Sequence, residues 1–103
     1  TDAVFSANDM MAIGCLHTLR SAGTRVPEDI AVAGFDDVPL ARYLSLTTIR
    51  VNIAEMGARA VARLIDLLEG KDLTRASETL TPELVTRATT APRTAPPNGA
   101  AHA

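Results

Sequence analysis

The sequence has little of several things that chemistry requires. It holds one cysteine, Cys15, and two histidines, His17 and His102. A lone thiol excludes an internal disulfide and a cysteine-rich metal site, and a reducing, cytoplasmic setting is the simple expectation. No metal-ligand spacing occurs among His, Cys, Asp and Glu, so neither metal nor cofactor is expected. Lysine occurs once, at Lys71, and the arginines are scattered. A DNA-gripping surface needs clustered cations to displace counterions from phosphates. With a net charge of −2, the chain is not expected to bind DNA by itself. No apolar run approaches the roughly 20 residues of a membrane span, and no signal peptide is visible. The first residue is Thr1 rather than methionine, and a strand is expected almost at once. The chain therefore reads as truncated, and the missing leader says nothing of the parent protein.

What the sequence does have is apolar material. Of its 103 residues, 47% are hydrophobic, which suits one small domain with a core and argues against global disorder. From Ala91 onward the composition shifts to Pro, Ala, Asn and Gly, which reads as a disordered tail over residues 91–103. The domain is expected to occupy residues 1–90.

Residues 3–6 form a short apolar run that fits a buried strand. Asn8-Asp9 is a helix-start pair, with Asn as cap and Asp at the positive end of the dipole. Residues 10–22 follow helical periodicity: Met11, Cys15 and Leu19 share a face, widened by Ile13 and Leu16. Gly23 ends that helix, and residues 26–29 make a turn. Residues 30–35 read as a strand covered on both faces. Strand, helix and strand in this order imply a parallel pair. The fold class is thus α/β, a parallel sheet flanked by helices. Further on, residues 40–44 suggest a helical turn and residues 46–51 an extended segment. Asn52 caps a second long helix, with Glu55 completing a capping box. Its apolar stripe is Ile53, Gly57, Val61, Leu64 and Leu68, Glu55 pairs with Arg59 on the wet face, and Gly70 ends it. Short strands are expected at Thr79-Leu80 and over residues 83–89.

Ligands of an open parallel sheet bind beyond the carboxyl ends of its strands. The first strand ends at Asn8-Asp9 and the second at Asp36-Asp37, so both polar pairs leave by one edge. An amide beside a carboxylate suits a polyhydroxylated ligand: the carboxylate accepts from hydroxyls, and the amide both donates and accepts. Such bonds to an ionised group are worth roughly 1.5–3 kcal/mol each. Each residue also has a plainer reading. Asn8 caps the helix, Asp9 serves the dipole, and Asp37 is a turn residue. Catalysis finds no support. His17 lies mid-helix without a nucleophile, Cys15 and His17 point in different directions on a helix, and His102 sits in the tail. Cys15 packs as a small hydrophobe. Adjacent Asp36 and Asp37 are a poor acid–base pair. Met10, Met11 and Met56 suit a core or an interface better than a cofactor.

Several pieces carry a resemblance. Ala7-Asn8-Asp9-Met10-Met11-Ala12-Ile13-Gly14 resembles the ANDxMAxG element of the lactose/galactose-repressor (LacI/GalR) family. Residues 25–37 are similar to its RVPEDISVVGFDD element. Ala41-Arg42-Tyr43, Leu46-Thr47-Thr48-Ile49, Glu55-Met56-Gly57 and Pro82-Glu83-Leu84-Val85 with Arg87 match further pieces in the right order. The resemblance implies the C-terminal part of a two-lobed, periplasmic-binding-protein-like effector domain that follows a helix-turn-helix headpiece. Residues 1 to 45 would belong to the C-terminal lobe, residues 46–51 would cross, residues 52–69 would pack in the other lobe, and residues 83–89 would return.

The family's ligand-contacting residues fall on Asn8 and Asp36, with Ile53 and Met56 as apolar cleft contacts. Its dimer interface falls on Met11, Cys15, His17, Leu19 and Tyr43. A small-molecule effector, a sugar or similar small metabolite, would shift lobe closure in a homodimeric regulator that meets DNA only through the headpiece. The alternative is a fragment of a periplasmic sugar-binding transport protein. The chain departs from the family at Ser45-Leu46, where the family's connecting prolines are missing, which affects the crossing and the Tyr43 contact.

Overall fold

A computed structural model describes residues 1–71 and 77–92. The element order is β1 (Ala3–Phe5), α1 (Asp9–Ser21), β2 (Ala31–Ala33), α2 (Pro39–Tyr43), β3 (Thr48–Arg50), α3 (Ile53–Leu68) and β4 (Glu83–Val85). β1 and β2 pair in parallel, with Val4 opposite Val32. The strand–helix–strand unit is therefore the α/β arrangement expected. The chain from Thr47 to Arg50 runs parallel beside the far edge of β2, with bridges Ala33 to Thr47 and Asp36 to Arg50. β4 closes antiparallel on β3, with Ile49 opposite Leu84.

The core is small. Ala12 and Leu16 of α1, Val32 of β2, Ala41 of α2 and Leu46 are buried together, and Ile13, Cys15, Leu19, Val26, Ile30 and Val38 pack around them. Burying one such large aliphatic side chain contributes roughly 1.5–3 kcal/mol. Asn8 caps α1 by accepting from the Met11 N–H at 2.9 Å. At its other end Gly23 takes φ 79, the left-handed turn that a Cβ disfavours. The Arg25-to-Asp29 turn is stapled on itself: Asp29 accepts from the Arg25 N–H and from its guanidinium, both at 2.8 Å.

Four expectations need correction. β1 is not a buried strand: Phe5 is 67% exposed, because β1 has β2 as its one strand neighbour among the described residues. The inward face of α1 runs through Asp9, Ala12 and Leu16, so of the expected face Leu16 is in the core, Ile13, Cys15 and Leu19 pack against it, and Met11 points outward. Thr79-Leu80 forms no strand. The run at 83–89 stays in the ladder only to Val85, because the Arg87 N–H turns to the Thr47 hydroxyl instead of a backbone carbonyl. His102 and all but the first two residues of the expected tail lie outside the described residues.

α3 begins as expected. The Asn52 Oδ1 accepts from the Glu55 N–H at 3.0 Å, and Arg59 pairs with Glu55 at 2.6 Å and also with Glu78. Its apolar stripe is uncovered: no residue of α3 is buried, and Ile53, Val61, Leu64 and Leu68 are all exposed. No helix among the described residues is long and apolar enough to cross a membrane.

Candidate functional site

The carboxyl ends of β1 and β2 come together at one edge. Backbone bonds knit them: the Ser6 N–H donates to the Ala33 carbonyl at 2.8 Å, and the Asp9 N–H donates to the Phe35 carbonyl at 2.9 Å. Asn8 and Asp36 flank that last bond, so the structure brings these two residues to one edge. Asn8 serves as the cap through its Oδ1. Its Nδ2 has no bonded partner among the described residues and remains a donor.

Asp36 is the unusual residue. Its φ is 118, and Asp37 follows at φ 58. Aspartate tolerates the left-handed region better than most residues, yet such conformations cost on the order of 1–3 kcal/mol and persist only when the surroundings impose them. Here the Asp36 N–H is fixed to the Ile49 carbonyl at 2.9 Å. The half-buried Asp36 carboxylate makes no hydrogen bond or ion pair among the described residues.

The neighbouring carboxylates are both committed. Asp37 sits between two guanidiniums: Arg50 Nε donates to its Oδ2 at 2.7 Å, and Arg87 Nη2 donates to its Oδ1 at 2.8 Å. Burial pushes its carboxyl upward, but the hydrogen bonds and charges of Arg50 and Arg87 outweigh this and hold it below the ordinary carboxylate range. Asp37 thus combines a left-handed backbone with an ion-pair centre at its side chain. The two adjacent carboxylates do not converge.

Asp9 is fully buried. Its Oδ1 accepts from the Thr48 hydroxyl at 2.6 Å, and its Oδ2 accepts from the Val38 N–H at 2.8 Å. It therefore ties the start of α1 to β3 and to the segment entering α2, well beyond a role at the helix dipole. Gly34 makes room for it, because a Cβ there would collide with the Asp9 carboxylate. The sequence signal for this hub was an isolated glycine inside a strand run, which marks a close approach.

Ile53 and Met56 are exposed on the first turns of α3. Met56 lines a groove with Arg59, Ala60, Arg63, Glu78 and Leu80, which is a different place from the Asn8–Asp36 edge. Of the expected interface residues, Met11, His17 and Tyr43 are exposed, with Tyr43 at 81%. Cys15 and Leu19 are partly buried against the core. His17 also lines a shallow groove between α1 and Leu44 at the end of α2. Among the described residues no cluster of His, Cys, Asp or Glu could hold a metal ion.

Comparison with known proteins agrees with this architecture. The family described as periplasmic binding protein-like domain matches residues 1–90. The chain is 42% identical over 87 residues to the HTH-type transcriptional repressor PurR of Pasteurella multocida, covering 82% of this chain and 26% of that protein. It is 40% identical over 89 residues to the lactose operon repressor of Rhizobium radiobacter, covering 84% of this chain and 78% of that one. A crystal structure of a LacI family transcriptional regulator from Arthrobacter sp. FB24, in complex with lactose, superposes with a TM-score of 0.77 at 41% identity, over 88% of this chain and 35% of that one. The chain thus spans about a quarter of the length of the first of these repressors. These relatives are named as transcriptional repressors or regulators. Motif order, parallel β1–β2 topology and these matches agree: the chain belongs to the LacI family and carries part of its periplasmic-binding-protein-like effector domain.

Proposed function

We propose that this chain is the ligand-sensing portion of a LacI-family transcriptional regulator, and that its effector is a sugar or similar polyhydroxylated metabolite. The observation that carries this reading is the Asp36 carboxylate, which follows a backbone at φ 118, has no partner among the described residues, and lies by the Asn8 amide nitrogen, also without a partner among them. A ligand with adjacent hydroxyls satisfies both: hydroxyls donate to the carboxylate, and the amide donates to a hydroxyl oxygen. The lactose bound to the Arthrobacter relative supports this ligand class.

Ile53 and Met56 are assigned as apolar contacts from the far side of a closed cleft, which needs the second lobe. Binding between the lobes shifts the open–closed equilibrium by the ligand's differential affinity for the two states. That shift reaches DNA through a helix-turn-helix headpiece, which these 103 residues do not contain. Met11, Cys15, His17, Leu19 and Tyr43 are assigned to a homodimer interface, supported by the exposure of Met11, His17 and Tyr43 along the outer faces of α1 and α2. The regulator acts in the cytoplasm, where its operator lies. No covalent chemistry and no cofactor enter the reading.

The test is a thermal-shift screen of the full-length protein against lactose, cellobiose and sucrose, repeated with Asp36→Ala. A sugar should raise the melting temperature of the unaltered protein and fail to raise that of the variant. Equal stabilisation of both refutes the site assignment.

A further inference from the structure

We infer that Arg87, with Arg50, is a positioning residue for the effector site, acting through Asp37 to hold Asp36 in its presenting geometry. The inference rests on the reading of Asp36 as an effector contact. Two consecutive non-glycine residues stand at positive φ here, 118 and 58, and such geometry persists only where the surroundings over-determine it. One restraint is the Asp36 N–H on the Ile49 carbonyl at 2.9 Å. The backbone is held further along by the Asp37 N–H on the Thr48 hydroxyl at 3.3 Å and the Val38 N–H on Asp9 at 2.8 Å, and the side chain by the carboxylate of Asp37, which two guanidiniums grip from opposite oxygens.

Arg87 is the stronger of the two. Its side chain is 14% exposed against 43% for Arg50, so its ion pair is less screened by water. Both terminal nitrogens of its planar fork are engaged: Nη1 donates to the Leu46 carbonyl at 2.9 Å while Nη2 holds Asp37 at 2.8 Å. The Arg87 backbone is pinned as well, since its N–H donates to the Thr47 hydroxyl at 2.8 Å. An arginine anchored at its backbone N–H and at Nη1 presents a fixed Nη2 donor to Asp37. Without it, Asp37 keeps one guanidinium and its backbone bonds, and the strained Asp36–Asp37 pair loses the least screened of the restraints that oppose relaxation toward negative φ, which would carry the Asp36 carboxylate away from Asn8. Arg87 itself touches no ligand in this scheme. Its effect on binding passes through the backbone between residues 36 and 37.

The experiment compares Arg87→Gln, Arg87→Lys, Arg50→Gln and Asp36→Ala in the full-length protein. Calorimetric binding of lactose and cellobiose is one readout. The φ of Asp36 in a crystal structure of Arg87→Gln is the other. The expected result is a folded Arg87→Gln protein with sugar affinity weakened about tenfold or more and Asp36 moved out of the positive-φ region. Arg50→Gln should weaken binding less, and Arg87→Lys should recover part of the loss. The inference is overturned if Asp36 keeps its φ in Arg87→Gln, or if that variant binds as the unaltered protein does while Asp36→Ala does not bind. If Asp36→Ala binds normally, or neither sugar binds the unaltered protein, the reading of Asp36 as a contact for these sugars fails. The φ of Asp36 in Arg87→Gln then still decides for or against the clamp. Should Arg87→Gln fail to fold, Arg50→Gln, altered at the exposed partner, supplies the same two readouts.

Discussion

Gly34 and Asp9 touch without a side chain between them: a methyl group at Gly34 would overlap the Asp9 Oδ1 and lie 3.2 Å from the Asp9 Cα. Both groups are backbone-anchored, Gly34 through its N–H to the Thr47 carbonyl at 2.9 Å and Asp9 through its N–H to the Phe35 carbonyl. Neither can yield cheaply. Gly34→Ala is therefore expected to destabilise the fold by about 2 kcal/mol, read as a lower urea midpoint. An unchanged midpoint would show that α1 shifts freely.

Asp9 itself should be sensitive in a graded way. Asp9→Ala strands the Val38 N–H and the Thr48 hydroxyl, and a stranded buried donor costs about 1–3 kcal/mol. Asp9→Asn keeps one oxygen for the Val38 N–H, and the Thr48 hydroxyl can turn to accept from the new amide. Denaturation should rank Ala as clearly worse than Asn. Equal losses would mean that charge, not hydrogen bonding, is what the site needs.

Acid should loosen the Asp36–Asp37 turn. The Asp37 carboxyl is held below its ordinary range when folded, so its contribution is fully present above that range. It is lost as pH falls through the ordinary aspartate range toward the lowered folded-state value. The difference in stability between the unaltered protein and Asp37→Asn should be largest near neutrality and shrink under acid. A difference independent of pH would remove the ion pairs as its cause.

The uncovered stripe of α3 has its own consequence. With Val61, Leu64 and Leu68 each more than half exposed, the 103-residue chain alone should melt broadly or self-associate. Leu64→Lys with Leu68→Lys should reduce association in sedimentation experiments. A sharp monomeric melt of the unaltered chain would refute this.

The local devices of the fold were legible. Periodicity located α1 and α3, and Asn8 and Asn52 were readable as caps because a cap acts within three residues. The parallel pairing of β1 and β2 followed from the length of the helix between them. The Asn8–Asp36 edge was legible too, since strand ends define it. The roles of Asp9 and Asp37 were not. Their side-chain partners lie 29 and 39 residues away for Asp9, and 13 and 50 residues away for Asp37. A sequence window shows an acid at a helix start or in a turn, and both descriptions are locally true. The exposure of Phe5 and Met11 escaped for a related reason: apolarity says a residue can be buried, while topology decides whether a neighbour arrives to bury it.

The grip of Arg87 on Asp37 also sets an order in time. The two residues are 50 positions apart, so a ribosome adding about 5–20 residues per second leaves the Asp36–Asp37 turn without its second guanidinium for roughly 3–10 s. The parallel pair and the α1 core can assemble during that interval. The Asp36–Asp37 turn cannot be complete until Arg87 has emerged, so the parallel pair can form before that turn is fixed.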